Sequence, residues 1–425
     1  MWKNSITRLT TELSHFQLLS TDMKRMLVSY GFYLAAYPLI ATFMNAYLWR
    51  SNGSIWSIVM YNSGWVIGLP LGFYINGLLL KKFHILRLYF SGLLLQAIIP
   101  CLVVFLPFNG LLNILMYGLL YGCGSGLFWA NKSYLDLQLT RGSNRIYYNS
   151  LGIIIDLLVN ILMPVSAGWF IVYMNSIYAL DSFIAYKIIM MVGFILLITS
   201  GLSVQFTHIQ NIVIEGLFVK NPSRNWNAIR MFNILHNVQV GVTIILSSLV
   251  VLVLVGGEGI LGTLQTITAG LSSIGLYFIG RKTTISSSWK FILTGSIIFF
   301  IGTCTLAGIF TWVGGLAYTI VITLAWAFQW SPANSVSMDL LDHEQPDTHK
   351  QYAYVCDNEL FYNVGRTIGI SIIILLAGVW NQSTALRWAP FIVGIIQLPL
   401  GIIIYRIVTN ILSPTPTAAS TSTAS

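Results

Sequence analysis

The ionisable side chains that lie inside otherwise apolar stretches are few, chiefly Lys132, Asp136 and Asp156. A charge at the centre of a bilayer costs about 2.5–3.5 kcal/mol on insertion scales, so each of them needs a partner or a task. Asp156 sits on a polar stripe at helical spacing, formed by Asn149, Gly152, Asp156, Asn160 and Met163. Such a stripe should face the interior of a helix bundle. There the carboxylate can take up a proton or cation or contact a substrate, or it can be the static partner of a basic residue on a neighbouring helix. Lys132 is the obvious basic candidate. It precedes Asp136 by four residues, so the two share a helical face with Trp129 and can pair within one helix. Lys132 can instead reach Asp156 across to the next helix, which would make a pair able to change partners.

A second group lies toward the C-terminus. Glu359, Asn363 and Arg366 follow one another at i, i+4 and i+7 on a single helical face, with Asp339 close by if the repeat described below holds. These charges suit a gate at one end of a bundle, as do Lys81 and Lys82, or they are simply solvated. Trp326 and Trp330 are also i and i+4, and with Trp129, Tyr117 and Tyr121 they can stack on flat rings, sugars or organic cations, while Asn334 can line a cavity or bond between helices. The alternative for such aromatics is a belt at the membrane interface. His236, beside Asn237, can titrate or can cap a helix.

What must position these residues follows from composition. Of 425 residues, 56% are hydrophobic and 8% are charged, against about 25% charged in a soluble domain. A water-exposed fold of this length is excluded. A bilayer core takes about 20 apolar residues per helix, and spans of that kind recur at 26–49, 55–80, 88–106, 111–136, 150–174, 184–206, 236–255, 260–280, 290–312, 314–338, 363–380 and 388–410. Of the 22 Lys and Arg residues, only Arg50, Lys187 and Arg387 fall on one side of these spans. The positive-inside rule then places both termini in the cytoplasm, and it also accounts for the net charge of +9 without nucleic acid.

The connections divide the chain into a cytoplasmic segment 1–25, a six-helix bundle 26–206, a central loop 207–235, a second bundle 236–410 and a disordered tail 411–425. Within the central loop, Ile209, Ile212, Val213, Leu217 and Phe218 have the spacing of a short interfacial helix. The other long connection, 339–362, holds six of the 13 acidic residues. An internal repeat supports the division. Ala130-Asn131-Lys132-Ser133-Tyr134-Leu135-Asp136-Leu137 closes span four as Ala333-Asn334-Ser335-Val336-Ser337-Met338-Asp339-Leu340 closes span ten. Tyr148-Asn149 then opens span five as Tyr362-Asn363 opens span eleven.

Two parallel six-helix halves, a longer central loop and cytoplasmic ends resemble the major facilitator superfamily over nearly the whole chain. The family's Gly-rich signature between spans two and three survives in part as Gly72-Phe73-Tyr74-Ile75-Asn76-Gly77-Leu78-Leu79-Leu80-Lys81-Lys82-Phe83, with Leu80 where the family usually has Asp. The resemblance implies a secondary transporter of a small organic solute working by alternating access, with protons as the coupling ion if Asp156 titrates. Lys132, Asp136, Asp156, Asn160, Trp129, Trp330 and Asn334 would then belong to a coupling and substrate cavity. Asp339, Glu359, Asn363, Arg366, Lys81 and Lys82 would belong to a cytoplasmic gate. A lipid or glycolipid flippase of the same fold is the alternative, and a non-transporting receptor or assembly protein is the alternative of another class. No nucleotide-binding loop, zinc-ligand spacing or nucleophile elbow is present in the sequence, and Gly122-Cys123-Gly124-Ser125-Gly126 reads as close helix packing. The expectation is therefore a monomeric multi-pass protein of a bacterial cytoplasmic membrane, not an enzyme, with no cofactor, metal or nucleic acid.

Overall fold

The computed structural model describes residues 16, 19–106, 110–140, 142–177, 182–205, 207, 214, 216–344 and 350–412, and among them it contains helices and no strand. The elements are α1 (Thr21–Asn52), α2 (Ile55–Leu79), α3 (Ile85–Phe105), α4 (Leu111–Leu139), α5 (Gly142–Ile177), α6 (Ser182–Ser203), α7 (Arg224–Val250, continued by a π-helical turn Val251–Val255), α8 (Glu258–Lys282), α9 (Ser288–Gly308), α10 (Trp312–Glu344), α11 (Gln351–Val379), α12 (Gln382–Gln397) and α13 (Leu400–Leu412). The last two form one span, so the described residues hold 12 helices long and apolar enough to cross a membrane. This is a multi-pass, all-helical membrane protein.

Several expected boundaries move. The seventh helix begins at Arg224, not at 236, so the last 12 residues of the anticipated central loop 207–235 are the start of a span. Arg224, Asn225, Asn227 and Arg230 lower the hydropathy of that stretch, while Trp226, Ile229 and Phe232 are fully buried at helical spacing and pack on Val336, Leu340 and Ile404. Burial on one face, which a hydropathy average does not see, makes this a helix. Of the proposed interfacial helix, Leu217 and Phe218 are not helical, and Ile209, Ile212 and Val213 lie outside the described residues. The acidic connection 339–362 also shrinks, because α10 runs on to Glu344 and α11 starts at Gln351. At the front, α1 begins inside the expected segment 1–25, with Ser20 accepting a hydrogen bond from the Met23 amide as N-cap. Gly53, at φ +58°, closes α1 in the left-handed conformation. Most of the tail, 413–425, lies outside the described residues.

The chain gathers into two compact units that do not follow the expected halves. The first comprises Met1–Leu217 with Val251–Ala269, and the second Phe218–Val250 with Gly270–Ser425. The end of the seventh span and the beginning of the eighth therefore belong with the N-terminal helices.

In the first unit, α2 and α4 meet along two rows of glycine spaced four apart. A Cβ added at Gly64, Gly68 or Gly72 would lie 2.2–2.4 Å from carbonyl oxygens of α4, and one at Gly118, Gly122 or Gly126 would lie 2.0–2.3 Å from carbonyls of α2. Only glycine lets two backbones approach so closely. The row ends at Asn76 and Asn131, both fully buried, whose side-chain amides exchange hydrogen bonds of 3.0 and 2.7 Å. Gly124 faces the other way, onto Gly92 and Leu95 of α3, so the Gly122–Gly126 stretch is indeed a packing element. A buried hydroxyl cluster fixes α1 against α3 and α6. Ser29 Oγ lies 2.7 Å from Tyr89 OH and donates to the Ser200 carbonyl at 2.8 Å, while Ser200 Oγ donates back to the Ser29 carbonyl at 2.7 Å.

In the second unit the closest crossing joins α7 and α11. Cβ atoms at Gly365, Gly369 and Gly241 would lie 2.2–2.3 Å from the carbonyls of Ile234, Val238 and Arg366 respectively. On another face of α10, Gln329 donates to Ser296 of α9 at 3.1 Å.

These contacts predict that Gly68→Ala destabilises the protein by more than the usual overpacking range of about 1–3 kcal/mol, since the obstacle is backbone. Gly270→Ala, with nothing within 4 Å of its Cβ, should leave stability unchanged or raise it. Thermal unfolding of the two variants in the same detergent measures the difference, and equal melting temperatures would refute the backbone-contact reading.

Candidate functional site

The first cluster forms where α4 and α5 meet α1. Lys132, 8% exposed, is held by Asp136 one turn along α4, with Nζ 2.6 Å from Oδ2. Tyr148, at the start of α5, donates its hydroxyl to the other oxygen of Asp136 at 2.9 Å. The ammonium also lies 3.9 Å from the centroid of the Tyr30 ring and 5.8 Å from that of Trp129. Tyr30 and Trp129 themselves meet edge to face, with centroids 6.4 Å apart. A cation in this apolar setting is thus satisfied twice, by an anion and by π faces. Of the two pairings open to Lys132, the structure shows the one within α4.

Asp156 is differently placed. It is half-buried on α5, and its carboxylate accepts from Asn160 at 2.8 Å, so the polar stripe bonds within its own helix. Among the described residues no Lys or Arg forms an ion pair with it. Tyr30 also approaches α5, where a Cβ added at Gly152, four residues before Asp156, would lie 3.6 Å from its Cε1.

The second unit holds the C-terminal charges. Glu359 accepts from Asn363 at 2.6 Å and from Arg366 at 2.8 Å, and Arg366 also donates to Asn363 at 3.1 Å. The three residues form the single ladder on α11 that their spacing suggested. Asp339 is half-buried on α10. Lys81 and Lys82 are exposed in the turn after α2. Trp330 and Asn334 are exposed on α10, where they border a recess with His236.

Sequence reasoning missed two charged clusters. Asp357, counted among loop acids, is 7% exposed on α11. It receives Arg230 of α7 through both oxygens, at 2.6 and 2.7 Å, and the Trp226 indole at 2.8 Å. The signal available was its spacing from Glu359, which puts Asp357 on a different face of α11, and the polar start of α7. The second cluster is in the first unit. Glu258, 7% exposed at the first turn of α8, accepts from Arg50 Nε at 2.7 Å, from Arg50 Nη2 at 3.2 Å and from Tyr186 OH at 2.8 Å. It joins the end of α1 and the start of α6 to α8. Beside it α5 and α8 cross with Gly168 and Gly262 in contact, the added Cβ atoms falling 2.4 and 2.2 Å from the carbonyls of Glu258 and Pro164. Trp169 donates to Thr263 at 3.0 Å, and Thr42 donates to Gln265 at 3.0 Å. The rarity of charge on that side of the spans was the available clue, since Arg50 is one of three basic residues there.

The bidentate Arg230–Asp357 pair fits a structural role. Removing one partner of a buried pair strands the other, at about 3–5 kcal/mol. Asp357→Ala is therefore expected to lower the thermal unfolding temperature sharply. Trp226→Phe, which removes only the indole donor, should cost about 1 kcal/mol, and equal effects would remove the ion pair from its proposed place in the fold.

No known family profile matches the chain. Among curated proteins it is similar to the uncharacterized protein YqgE of Bacillus subtilis, at 22% identity over 372 residues that cover 86% of this chain and 85% of that one. It is also similar to an uncharacterized protein encoded 3′ of sodM in Geobacillus stearothermophilus, at 26% identity over 160 residues that cover 38% of this chain and 75% of that one. Among solved structures it aligns with a POT family transporter in complex with a thioalcohol-conjugated peptide, with a TM-score of 0.65, 12% identity and coverage of 92% and 96%. It aligns equally well with a bacterial homologue of the iron transporter ferroportin in an inward-facing state, with a TM-score of 0.65, 15% identity and coverage of 91% and 98%. The chain has the twelve-helix fold of the major facilitator transporters.

Proposed function

We propose that the protein is a secondary transporter of a small organic solute, working by alternating access in a bacterial cytoplasmic membrane and coupled to protons through Asp156. The observation that carries this reading is the contrast between two intramembrane carboxylates of the first unit, Asp136 and Asp156. Asp136 is neutralised by Lys132 and anchored by Tyr148, whereas among the described residues the Asp156 carboxylate accepts only from Asn160. A carboxylate without a basic partner inside an apolar span is the group that can exchange a proton without first breaking an ion pair. Lys132 and Asp136 then act as positioning residues, holding the α4–α5 corner and Tyr30 beside the exchanging group. The twelve-helix fold and the Bacillus relative support the class of activity and the membrane.

Alternating access needs a contact that closes one side and can open. The Glu258 cluster suits this part, because it ties α1 and α6 to α8 by charged hydrogen bonds that are strong when shielded from water and replaceable when wetted. With the termini in the cytoplasm, as the basic loops favour, this latch lies on the outer side. Glu359, Asn363 and Arg366 serve at the inner side, with Lys81, Lys82 and Asp339 in the neighbouring connections.

Two measurements test this reading. In proteoliposomes, Asp156→Asn should abolish solute uptake driven by an imposed pH gradient while leaving gradient-independent exchange; full coupled uptake would overturn the coupling role. In a cysteine-free background, Thr268→Cys, buried on α8 beyond the latch, should react severalfold faster with an impermeant maleimide when Glu258→Gln is added. Unchanged labelling would show that the cluster does not close that side.

A further inference from the structure

Of the three basic residues on the side opposite the basic loops, Arg50 is answered by Glu258. Arg387, half-buried in the second turn of α12, is held differently. Its Nε donates to the Ala307 carbonyl, at the C-terminal end of α9, at 2.7 Å. Its guanidinium carbon lies 5.9 Å from the centroid of Phe310 and 5.4 Å from that of Trp388. Among the described residues no carboxylate pairs with it. The bond to Ala307 orients the fork, because Nε is spent on the backbone and the N–H groups of Nη1 and Nη2 stand at the far edge. A cation beside a membrane span is thus fixed by a carbonyl and two rings, and its charge is left to a partner from outside the chain.

The surroundings say what that partner is. The seam between α9 and α12 is shut below Arg387: a Cβ added at Gly394 would lie 2.4 Å from Thr303 Oγ1. Nearer the start of α12, Phe391 lies 6.0 Å from Phe300 and meets Trp388 edge to face at 5.7 Å. The partner therefore lies on the surface, not in a cavity. Trp388 is exposed, as are Trp312 at the start of α10 and Trp380 at the end of α11, on the same side of the spans. Indole rings concentrate where acyl chains give way to head groups. Deeper along the same helices the open surface is aliphatic, with Ile297 and Ile301 exposed on α9 and Ile395 on α12. Charge, then indole, then aliphatic surface is the order phosphate, glycerol, acyl chain of a phospholipid. The planar guanidinium fork matches phosphate oxygens in particular. A free anion would use the charge and leave the rest unused.

We propose that Arg387 and Trp388 form a phospholipid site on the α9–α12 surface, in the leaflet opposite the basic loops. The Nη edge of Arg387 takes the phosphodiester oxygens, Trp388 lies at the glycerol, and the acyl chains run along Ile301 and Ile395. Anionic phospholipid is preferred, because no head-group cation offsets its phosphate. The site goes beyond the transporter reading and does not depend on it, since a chain that moves no solute would hold the lipid just as well.

The test uses the full-length protein in detergent and three lipids with a photoactivatable diazirine in one acyl chain: phosphatidylglycerol, phosphatidylcholine and diacylglycerol. Labelling of the peptides that carry Ile301 and Ile395, read by mass spectrometry against lipid concentration, keeps this site apart from lipid bound at the basic loops. Phosphatidylglycerol should half-saturate it at the lowest concentration and diacylglycerol at the highest. Hydrogen bonds to a charged group are at stake, so Arg387→Gln should weaken phosphatidylglycerol about tenfold and leave diacylglycerol unchanged. Arg387→Lys keeps the charge without the fork and should fall between. Trp388→Leu should weaken all three lipids severalfold. Should Arg387→Gln fold poorly for want of the Ala307 bond, the lipid ranking in the wild-type protein and the loss at the exposed Trp388 still decide the matter. Equal labelling by phosphatidylglycerol and diacylglycerol, labelling untouched by Arg387→Gln and Trp388→Leu, or displacement of the lipid by an equal concentration of inorganic phosphate would each overturn the proposal.

Discussion

A charge placed among apolar helices has to be met where it lies, because water is absent and the protein must supply the partner. With 8% charged residues in 425, the positions where this happens are few, and they coincide with the joints of the structure. Lys132 and Asp136 mark the corner of α4 and α5, Arg230 and Asp357 tie α7 to α11, and Arg50 and Glu258 tie α1 to α8. Between those joints the helices are held by a different rule. Glycine rows bring α2 onto α4 and α7 onto α11 at backbone contact, so dispersion and weak polar contacts replace a hydrophobic effect that lipid does not provide. Each buried amide then has to be paired, and the Asn76–Asn131 exchange at the end of the α2–α4 row is the plainest instance.

The sequence was most legible where one physical signal acted alone. Long apolar runs gave the twelve spans, and the alternation of Gly122, Gly124 and Gly126 gave close packing. The i, i+4, i+7 spacing of Glu359, Asn363 and Arg366 gave a ladder that the structure contains. It was least legible where two signals opposed each other. The start of α7 carries four polar residues that depress its hydropathy, while a buried stripe of Trp226, Ile229 and Phe232 makes it helical. Asp357 looked like one more loop acid because its partner, Arg230, lies in that same misread stretch. Glu258 sits in a Gly-rich turn, and nothing local says that Arg50, more than 200 positions earlier, will reach it; that is information of the fold alone. The choice of Lys132 between Asp136 and Asp156 was likewise beyond spacing, because both were sterically open until Tyr148 was seen to complete the Asp136 site.

The matching segments that close α4 and α10 carry different chemistry. Asn131 and Asn334 occupy matching places, but Asn131 is sealed against Asn76 while Asn334 stands exposed beside a recess. Lys132 is matched by Ser335, so the second copy has no cation where the first places one over Tyr30. Trp129 packs edge to face with Tyr30, whereas Trp330 lies flat along Trp326 with its outer face open. One helix pair thus carries a charged pair, Lys132 and Asp136, at its polar positions. The other has no charge at the matching position and holds nearly parallel rings, with the Nε2 of His236 lacking a hydrogen-bond partner among the described residues. Under the proposed transporter reading, the exchanging carboxylate, Asp156, is kept on α5 in the first unit, while α10 belongs to the second. The two helix ends thus meet the same membrane constraint in different ways: the first satisfies a cation with the Asp136 carboxylate and the Tyr30 ring, and the second places Ser335 at the matching position, where there is no charge to satisfy.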